Sequence, residues 1–251
     1  MGKMSNHHKL LIALATSALA VIAVSASLLW SGYREAIQDA EATTRGYAAI
    51  LETRLDATLR RADALLQQLL RITPVTAMRQ DAVLRNAQLD VLLKSDLINF
   101  PELAGLNIFD ANGDLLYTSG TNSVRPNISD REHFRVLRDT PGIDRVFSEV
   151  LVARTTGRRG ITFARAVRDE QGVFRGIVAA LIELDYFQKL HQSLNIGANG
   201  NVAIYRSDNF MQVLRWPVVE GKLNVPLPPE TPTRRVLAGG GKKASAKTAR
   251  R

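Results

Sequence analysis

The chain has 251 residues, and its basic side chains outnumber its acidic ones by nine. Its apolar content of 45% is enough for a folded core, and the absence of cysteine excludes disulfides, thiol catalysis and Cys-ligated metal sites. Seven basic residues and no acidic one lie in residues 234–251. This segment cannot bury apolar area, so it is predicted to be a disordered basic tail.

The N-terminal segment predicts a membrane span over residues 10–31. Leu10–Trp30 holds no charged side chain over 21 positions, and about 20 apolar residues suffice to cross the hydrocarbon core. Lys3 and Lys9 precede it, so the positive-inside rule places residues 1–9 in the cytoplasm and the following domain outside. The alternative is a cleaved signal peptide, because small residues near the end of the segment form an acceptable cleavage site.

A long helix is predicted directly after the span. From Tyr33 to Ile72 the apolar residues recur at gaps of mostly three or four, and Thr73-Pro74 ends the pattern. A second helix is predicted over Val75–Leu97. The apolar stripe of the long helix has two interpretations: it only packs on the sheet of its own chain, or it also pairs with a second copy, which gives a homodimer through the stalk helix.

The pattern then changes to a β-hairpin. Leu103–Phe109 and Leu115–Ser119 are predicted strands, and Asn112-Gly113 between them favours a type I′ turn. Asp110 and Asp114 give the turn a likeness to a calcium-binding loop. A calcium loop places its glycine after the third ligand, and here the glycine comes before it, so the hairpin is the preferred interpretation.

The rest of the chain predicts a meander of strands flanked by helices. Asp130 and Asp185 can each cap a helix, ending at Arg138 and Leu194 respectively. Tight polar turns between neighbouring strands predict antiparallel pairing. The predicted strands of this part are residues 146–153, 160–168 and 173–184, followed by a further hairpin of 202–205 and 210–216. The fold class is therefore α+β, with five antiparallel strands in a sheet flanked by helices.

Two short motifs in this arrangement resemble a known family. Asp130-Arg131-Glu132-His133-Phe134, followed by three strands that end in Glu183-Leu184-Asp185-Tyr186-Phe187, is similar to the Cache domain. This is the PAS-like extracytoplasmic sensor that precedes GGDEF-type diguanylate cyclases and sensor histidine kinases. The resemblance implies a Cache sensor domain over residues 33–196 and the start of a second, incomplete PAS-like unit over residues 197–233. The residues after 233 resemble no output domain, so the resemblance leads us to expect a natural short form or a truncated gene product.

No reactive constellation accompanies these motifs. The sequence lacks a Gly-x-Ser-x-Gly elbow and a His-Glu-x-x-His motif. We therefore predict that the protein is not an enzyme and has no catalytic residues, no cofactor, no metal site and no nucleic-acid partner.

A small-molecule site is the better expectation. Arg131 and His133 stand at the start of a short helix, where both can donate to a carboxylate and the helix N-terminus adds partial positive charge. The resemblance implies that this segment closes a pocket lined by the following strands. Asp185 could receive a ligand amine. The remaining candidates for the pocket are Phe134, Tyr117, Thr162 and Arg165.

Each candidate also has a purely structural interpretation. Arg131 could pair with Glu132 or Asp130 on the surface. His133 could be an ordinary half-buried ring, and Asp185 could be only a helix cap. Which face of its strand Arg165 occupies is left open by the sequence.

The function predicted from these observations is that of a membrane-anchored sensor module. It would bind a small anionic metabolite, a carboxylate, outside the cytoplasm for signal transduction. The implied location is the bacterial inner membrane, with a single pass through the lipid bilayer, the N-terminus inside and the sensor domain in the periplasm. The alternative function is a non-sensing, membrane-tethered interaction and dimerisation protein.

Overall fold

The structure is a computed structural model that describes residues 6–79, 87–121, 125–192, 200–217, 219 and 221–238. The chain divides into two units, and the boundary on the first helix falls between Ile50 and Leu51. Each unit is described by itself.

Helix α1 is continuous from Asn6 to Ile72, in agreement with the predicted span and the predicted long helix. In the part before Leu51, the apolar side chains of the span are exposed, for example Leu19 at 69% and Leu29 at 76%. Within the described residues, α1 is the one helix long and apolar enough to cross a membrane, and its apolar window has a mean hydropathy of 1.8. A signal sequence near the N-terminus has the same length and apolar character.

The second unit is built on a five-stranded antiparallel sheet of order β2-β1-β5-β4-β3, which confirms the predicted fold class. β1 and β5 are buried along almost their whole length because they are central and covered on both faces. The strands are β1 (Leu103–Asp110), β2 (Leu115–Thr118), β3 (Arg145–Val152), β4 (Arg159–Arg168) and β5 (Phe174–Glu183).

Helices cover the two faces of this sheet. The C-terminal part of α1 supplies Ala62, Leu66 and Leu69, all fully buried, to the larger core cluster. The stripe of α1 therefore packs on the sheet of its own chain, as both of its interpretations predicted. The other helices of the second unit are α2 (Ala87–Ile98), α3 (Glu132–Asp139), α4 (Leu184–Gln192) and α5 (Pro232–Ala238), with a short 3₁₀ turn at Val75–Ala77.

Several predicted boundaries change. The helix predicted over Val75–Leu97 is a 3₁₀ turn and then α2, and residues 80–86 lie outside the described part. Residues 234–238, expected to be disordered, belong to α5, where the guanidinium of Arg234 lies 4.7 Å from the ring centroid of Phe210. Residues 239–251 lie outside the described part.

The hairpin at residues 110–114 forms with a different turn from the predicted one. Gly113 has a φ of +85°, but Asn112 is not among the residues with positive φ, so a type I′ turn is wrong. The amide of Gly113 donates to the Asp110 carbonyl at 3.1 Å. The Asp110 carboxylate accepts from the amides of Asn112 and Asp114 at 2.8 and 2.9 Å. These acceptor bonds of Asp110 stabilise the turn.

The two expected aspartate caps are also absent. The N-cap of α3 is Arg131, without a side-chain cap, because the Asp130 carboxylate binds Arg154. Helix α4 begins at Leu184, which places Asp185 in its first turn, where a negative charge is favourable but does not cap.

A second, two-stranded sheet follows, with β6 (Val202–Tyr205) and β7 (Gln212–Trp216). The predicted hairpin is confirmed, although β7 begins two residues late because Phe210 takes a φ of +57° in the turn. Asn224, from the segment after β7, exchanges two hydrogen bonds with the backbone of Val150 in β3. That the hairpin opens a second PAS-like unit stays a prediction.

Candidate ligand-binding cavity

A cavity lies on the face of the sheet opposite α1. Strand alternation separates the two faces: Phe163, Val178 and Ala180 pack in the cluster with α1, whereas Ala164 and Ala179 pack in the cluster with α3. The cavity opens partly to solvent and has a volume of about 40 Å³. Its lining consists of Asn107, Phe109, Ile128, Arg131, His133, Leu151, Ala153, Arg154, Thr155, Thr162, Ala179 and Leu181.

Arg131 stands at the entrance to α3 and lines the cavity. Its Nη2 donates to the carbonyl of Val152 at 3.3 Å. The predicted surface pair with Asp130 or Glu132 does not form in the structure, because Asp130 pairs with Arg154. Arg131 thus carries one long backbone contact and a full positive charge beside the cavity.

His133, two residues after Arg131, is 5% exposed and also lines the cavity. Burial, and secondarily the charge of Arg131, lowers its pKa to about 4. The ring is therefore neutral near pH 7 and stays neutral in mild acid. It makes no hydrogen bond to any residue that the structure describes, so a donor and an acceptor nitrogen remain for a ligand or water.

The wall opposite α3 supplies neutral polar groups. The Asn107 amide nitrogen lies 3.4 Å from the Thr155 hydroxyl, and its oxygen accepts from Thr118 at 2.8 Å. Both Asn107 and Thr155 are buried. Thr162 lines the same cavity from β4, where its amide donates to the Ser148 hydroxyl at 2.8 Å. These groups can orient a polar ligand without adding charge.

Arg154 is the charged lining residue that the sequence analysis did not predict. Its two terminal nitrogens each lie 2.7 Å from an oxygen of Asp130, and Nη1 also donates to the Asn127 carbonyl at 2.6 Å. The Arg154 guanidinium lowers the pKa of the Asp130 carboxyl to about 2. In the sequence, Arg154 could have been noticed as a charged residue at the end of a predicted strand, beside the Thr155-Thr156-Gly157 turn. Only the folded chain shows that this turn contacts the segment before α3.

Of the predicted site residues, the cavity brings together Arg131, His133 and Thr162. Phe134 neighbours the site but packs in the core, edge-on to Phe174 at 5.6 Å between ring centroids. Asp185 lies in the first turn of α4 and does not line the cavity.

Tyr117 and Arg165 lie on the α1 face of the sheet. The Tyr117 hydroxyl donates to the Ala77 carbonyl at 3.2 Å. Arg165 makes a bidentate ion pair with Asp63 of α1, with nitrogen–oxygen distances of 2.7 and 2.9 Å. Both side chains therefore make their hydrogen bonds on the α1 side of the sheet, away from the cavity.

The size of the cavity limits the ligand that it can hold. A volume of about 40 Å³ holds a few water-sized groups, so a ligand must be small or must widen the cavity on entry. Within the described residues, no group of three His, Asp or Glu side chains is placed to hold a metal ion.

An antiparallel sheet of this strand order, with a long N-terminal helix on one face and a cavity on the other, has the predicted PAS-like arrangement. A sequence profile of the Cache domain family, dCache_1, matches residues 32–226. The chain therefore belongs to the Cache domain family, whose members are sensory ligand-binding modules. No curated protein matches the chain.

Solved structures of extracytoplasmic sensors share the fold. The extracellular domain of rpHK1S-Z16, assigned by its name to the histidine kinases, is 23% identical with a TM-score of 0.61, and the match covers 72% of each chain. The ligand-binding domain of the Campylobacter jejuni chemoreceptor Tlp3, in complex with L-valine, is 14% identical with a TM-score of 0.52, over 73% of this chain and 72% of that one.

A third similar structure is the ligand-binding domain of the Pseudomonas aeruginosa PAO1 amino acid chemoreceptor PctC in complex with GABA. It is 14% identical with a TM-score of 0.52, and the match covers 70% of this chain and 76% of that one. At these identities the similarity establishes the fold alone.

Proposed function

We propose that the cavity binds a small anionic metabolite carrying a carboxylate, and that the protein is a membrane-anchored sensor. One observation supports this most strongly: among the described residues, the lining contains two arginines, Arg131 and Arg154, and no acidic side chain. A guanidinium can hold a carboxylate through two parallel hydrogen bonds. The neutral donors of Asn107, Thr155 and Thr162 supply orientation.

The same observation argues against a zwitterionic ligand. The Tlp3 and PctC domains are complexed with L-valine and GABA, which carry an ammonium group as well as a carboxylate. A buried ammonium is stabilised best by an acidic partner that offsets its loss of hydration, and the described lining contains none. Asp185, the residue expected to receive an amine, lies outside the lining. The ligand of this chain is therefore an acid without an amine.

The orientation we propose follows from α1. The uncharged segment Leu10–Trp30 spans the bacterial inner membrane once, with residues 1–9 in the cytoplasm and the Cache domain in the periplasm. A C-terminal alkaline phosphatase fusion should be active in a bacterial host. Activity of a cytoplasmic reporter in its place would contradict this orientation.

We further propose that the membrane-proximal part of α1 pairs with a second copy. Ile37, Ala40 and Tyr47 recur at coiled-coil spacing, and Ile37 is 41% exposed. Cysteine introduced at Ile37 should form an intermolecular disulfide in the membrane, whereas cysteine at the neighbouring Asp39 should not. This pairing is shared by the sensor and by the alternative of a purely tethering protein, so it does not separate them.

Ligand binding separates these two functions. We would screen the purified full chain by thermal shift against small mono- and dicarboxylates and the matching amino acids. A ligand that binds only the native state raises its stability by about 2.7 kcal/mol at a hundredfold excess over its dissociation constant. Stabilisation by carboxylates and not by amino acids is expected. No response to any acid would favour the tethering protein.

A further inference from the structure

An ion pair bridges the two segments that border the cavity. Arg154 belongs to the turn between β3 and β4, and Asp130 belongs to the segment that leads into α3. The guanidinium contacts both carboxylate oxygens and, in addition, the carbonyl of Asn127. The side chains are 39% and 61% exposed, so the pair lies at the solvent edge.

Each residue of the Arg154–Asp130 ion pair is flanked in sequence by residues that line the cavity. On the α3 side, Ile128 and Arg131 flank Asp130 and line the cavity. On the β3 side, Ala153 and Thr155 flank Arg154 and do the same. The hydrogen bond from Arg131 to the Val152 carbonyl joins the same two segments a second time. Separating the segments would therefore widen the cavity that they border.

The partner of Arg154 is itself a carboxylate. Asp130 occupies the bidentate side of a guanidinium that lines the site, in the geometry that a ligand carboxylate would adopt. If a ligand carboxylate replaced that of Asp130, the Arg154 guanidinium would keep a negatively charged partner. Exposed ion pairs contribute little net stability, so the contact with Asp130 can be given up readily.

We propose that the Arg154–Asp130 pair is a latch over the cavity, and that Arg154 releases Asp130 to bind the carboxylate of the incoming ligand. The second half of this statement rests on the function proposed above. Asp130 is then an internal competitor, which keeps the site closed until a ligand with a better-placed carboxylate arrives.

The latch can be tested without any ligand, through the reactivity of His133. Diethyl pyrocarbonate acylates a neutral imidazole that solvent can reach, and His133 is neutral and buried in the cavity. In the full chain at pH 7, Asp130→Asn and Arg154→Gln should each raise the rate of His133 acylation at least fivefold. The acylation is measured by peptide mass spectrometry. Asp139→Asn is the matched control, because it removes an exposed arginine pair on α3 that does not line the cavity.

The outcomes distinguish the latch from the ligand hypothesis. An unchanged rate in Asp130→Asn and Arg154→Gln, with native melting temperatures, would overturn the latch and leave the proposed function standing. In calorimetry with succinate and acetate, Asp130→Asn should bind at least as tightly as the parent, and Arg154→Gln at least tenfold more weakly. If Arg154→Gln binds either acid as tightly as Asp130→Asn, the exchange at Arg154 is overturned. If neither acid binds any variant while the latch variants react faster, the carboxylate function fails and the closure remains.

Discussion

Replacing Arg165 by alanine should destabilise the domain strongly while leaving the cavity intact. The guanidinium of Arg165 makes two hydrogen bonds to Asp63 of α1, and the two side chains are only 14% and 18% exposed. The substitution leaves the largely buried negative charge of Asp63 without its main cationic partner. The sequence made Arg165 a candidate for the pocket and left its face of β4 open, so this variant also tests which face the residue occupies.

The magnitude follows from burial and from the contacts that remain. Removing one partner of a buried ion pair costs about 3–5 kcal/mol. Gln67 still donates to Asp63 at 3.0 Å and Arg145 still lies 3.4 Å away, so we expect a loss of about 2–3 kcal/mol. For a domain of this size that corresponds to a fall in melting temperature of about 4–12 °C.

The pair also contributes to the pH dependence of stability. Arg165 holds the pKa of the Asp63 carboxyl below its usual range, mainly by its side-chain hydrogen bond. A lowered folded-state pKa means that the contribution is present above the unfolded pKa of about 3.9 and is lost as the pH falls through the folded value. The difference in stability between parent and Arg165→Ala should therefore shrink below about pH 4.

The assay is thermal unfolding of the full chain, followed by circular dichroism, with Arg145→Ala as the control. Arg145 contacts the same carboxylate but is 62% exposed, so its loss should cost at most about 1 kcal/mol. Equal melting temperatures for Arg165→Ala and the parent would refute the placement of this pair. A loss of carboxylate binding in Arg165→Ala, without a change in stability, would show that the Arg165 side chain lies in the cavity.

Two further predictions concern the hairpin and His133. Gly113→Val should lower the melting temperature markedly, because the added Cβ would lie 2.6 Å from the amide nitrogen of Ser129 and the residue has a φ of +85°; an unchanged melt would show that the turn lies elsewhere. Carboxylate affinity should stay constant between pH 5.5 and 8, because His133, with a pKa of about 4, remains neutral throughout; affinity that rises towards pH 5.5 in the parent but not in His133→Gln would contradict this.

The fold was largely predictable because its signals are local. The three- and four-residue spacing of apolar residues in α1 can be read from a short window of sequence. The same holds for the polar turns between β3, β4 and β5. The turn at Asn112-Gly113 was misjudged because Asp110 accepts two backbone hydrogen bonds and stabilises another turn type.

The site was predictable only in part, because a cavity depends on which faces meet. Thr162 and Arg165 are three positions apart on β4, so an alternating strand cannot direct both to one face. Tyr117 pairs with Ile108, a core residue of the α1 face, and this register is set by the turn. Arg154 is separated from Asp130 by 24 residues and meets it only in the folded chain.

The central claim is that an arginine-lined cavity recognises the carboxylate of a small acid. Its most direct test is calorimetry of the full chain, comparing Arg131→Ala with Arg135→Ala, an exposed arginine of α3 that does not line the cavity. With the acid that the thermal screen selects, Arg131→Ala should lose about 2–5 kcal/mol of binding free energy, while Arg135→Ala binds like the parent and both keep native circular dichroism. Equal affinities for Arg131→Ala and the parent, or tighter binding of the amino acid than of the corresponding acid, would contradict the account.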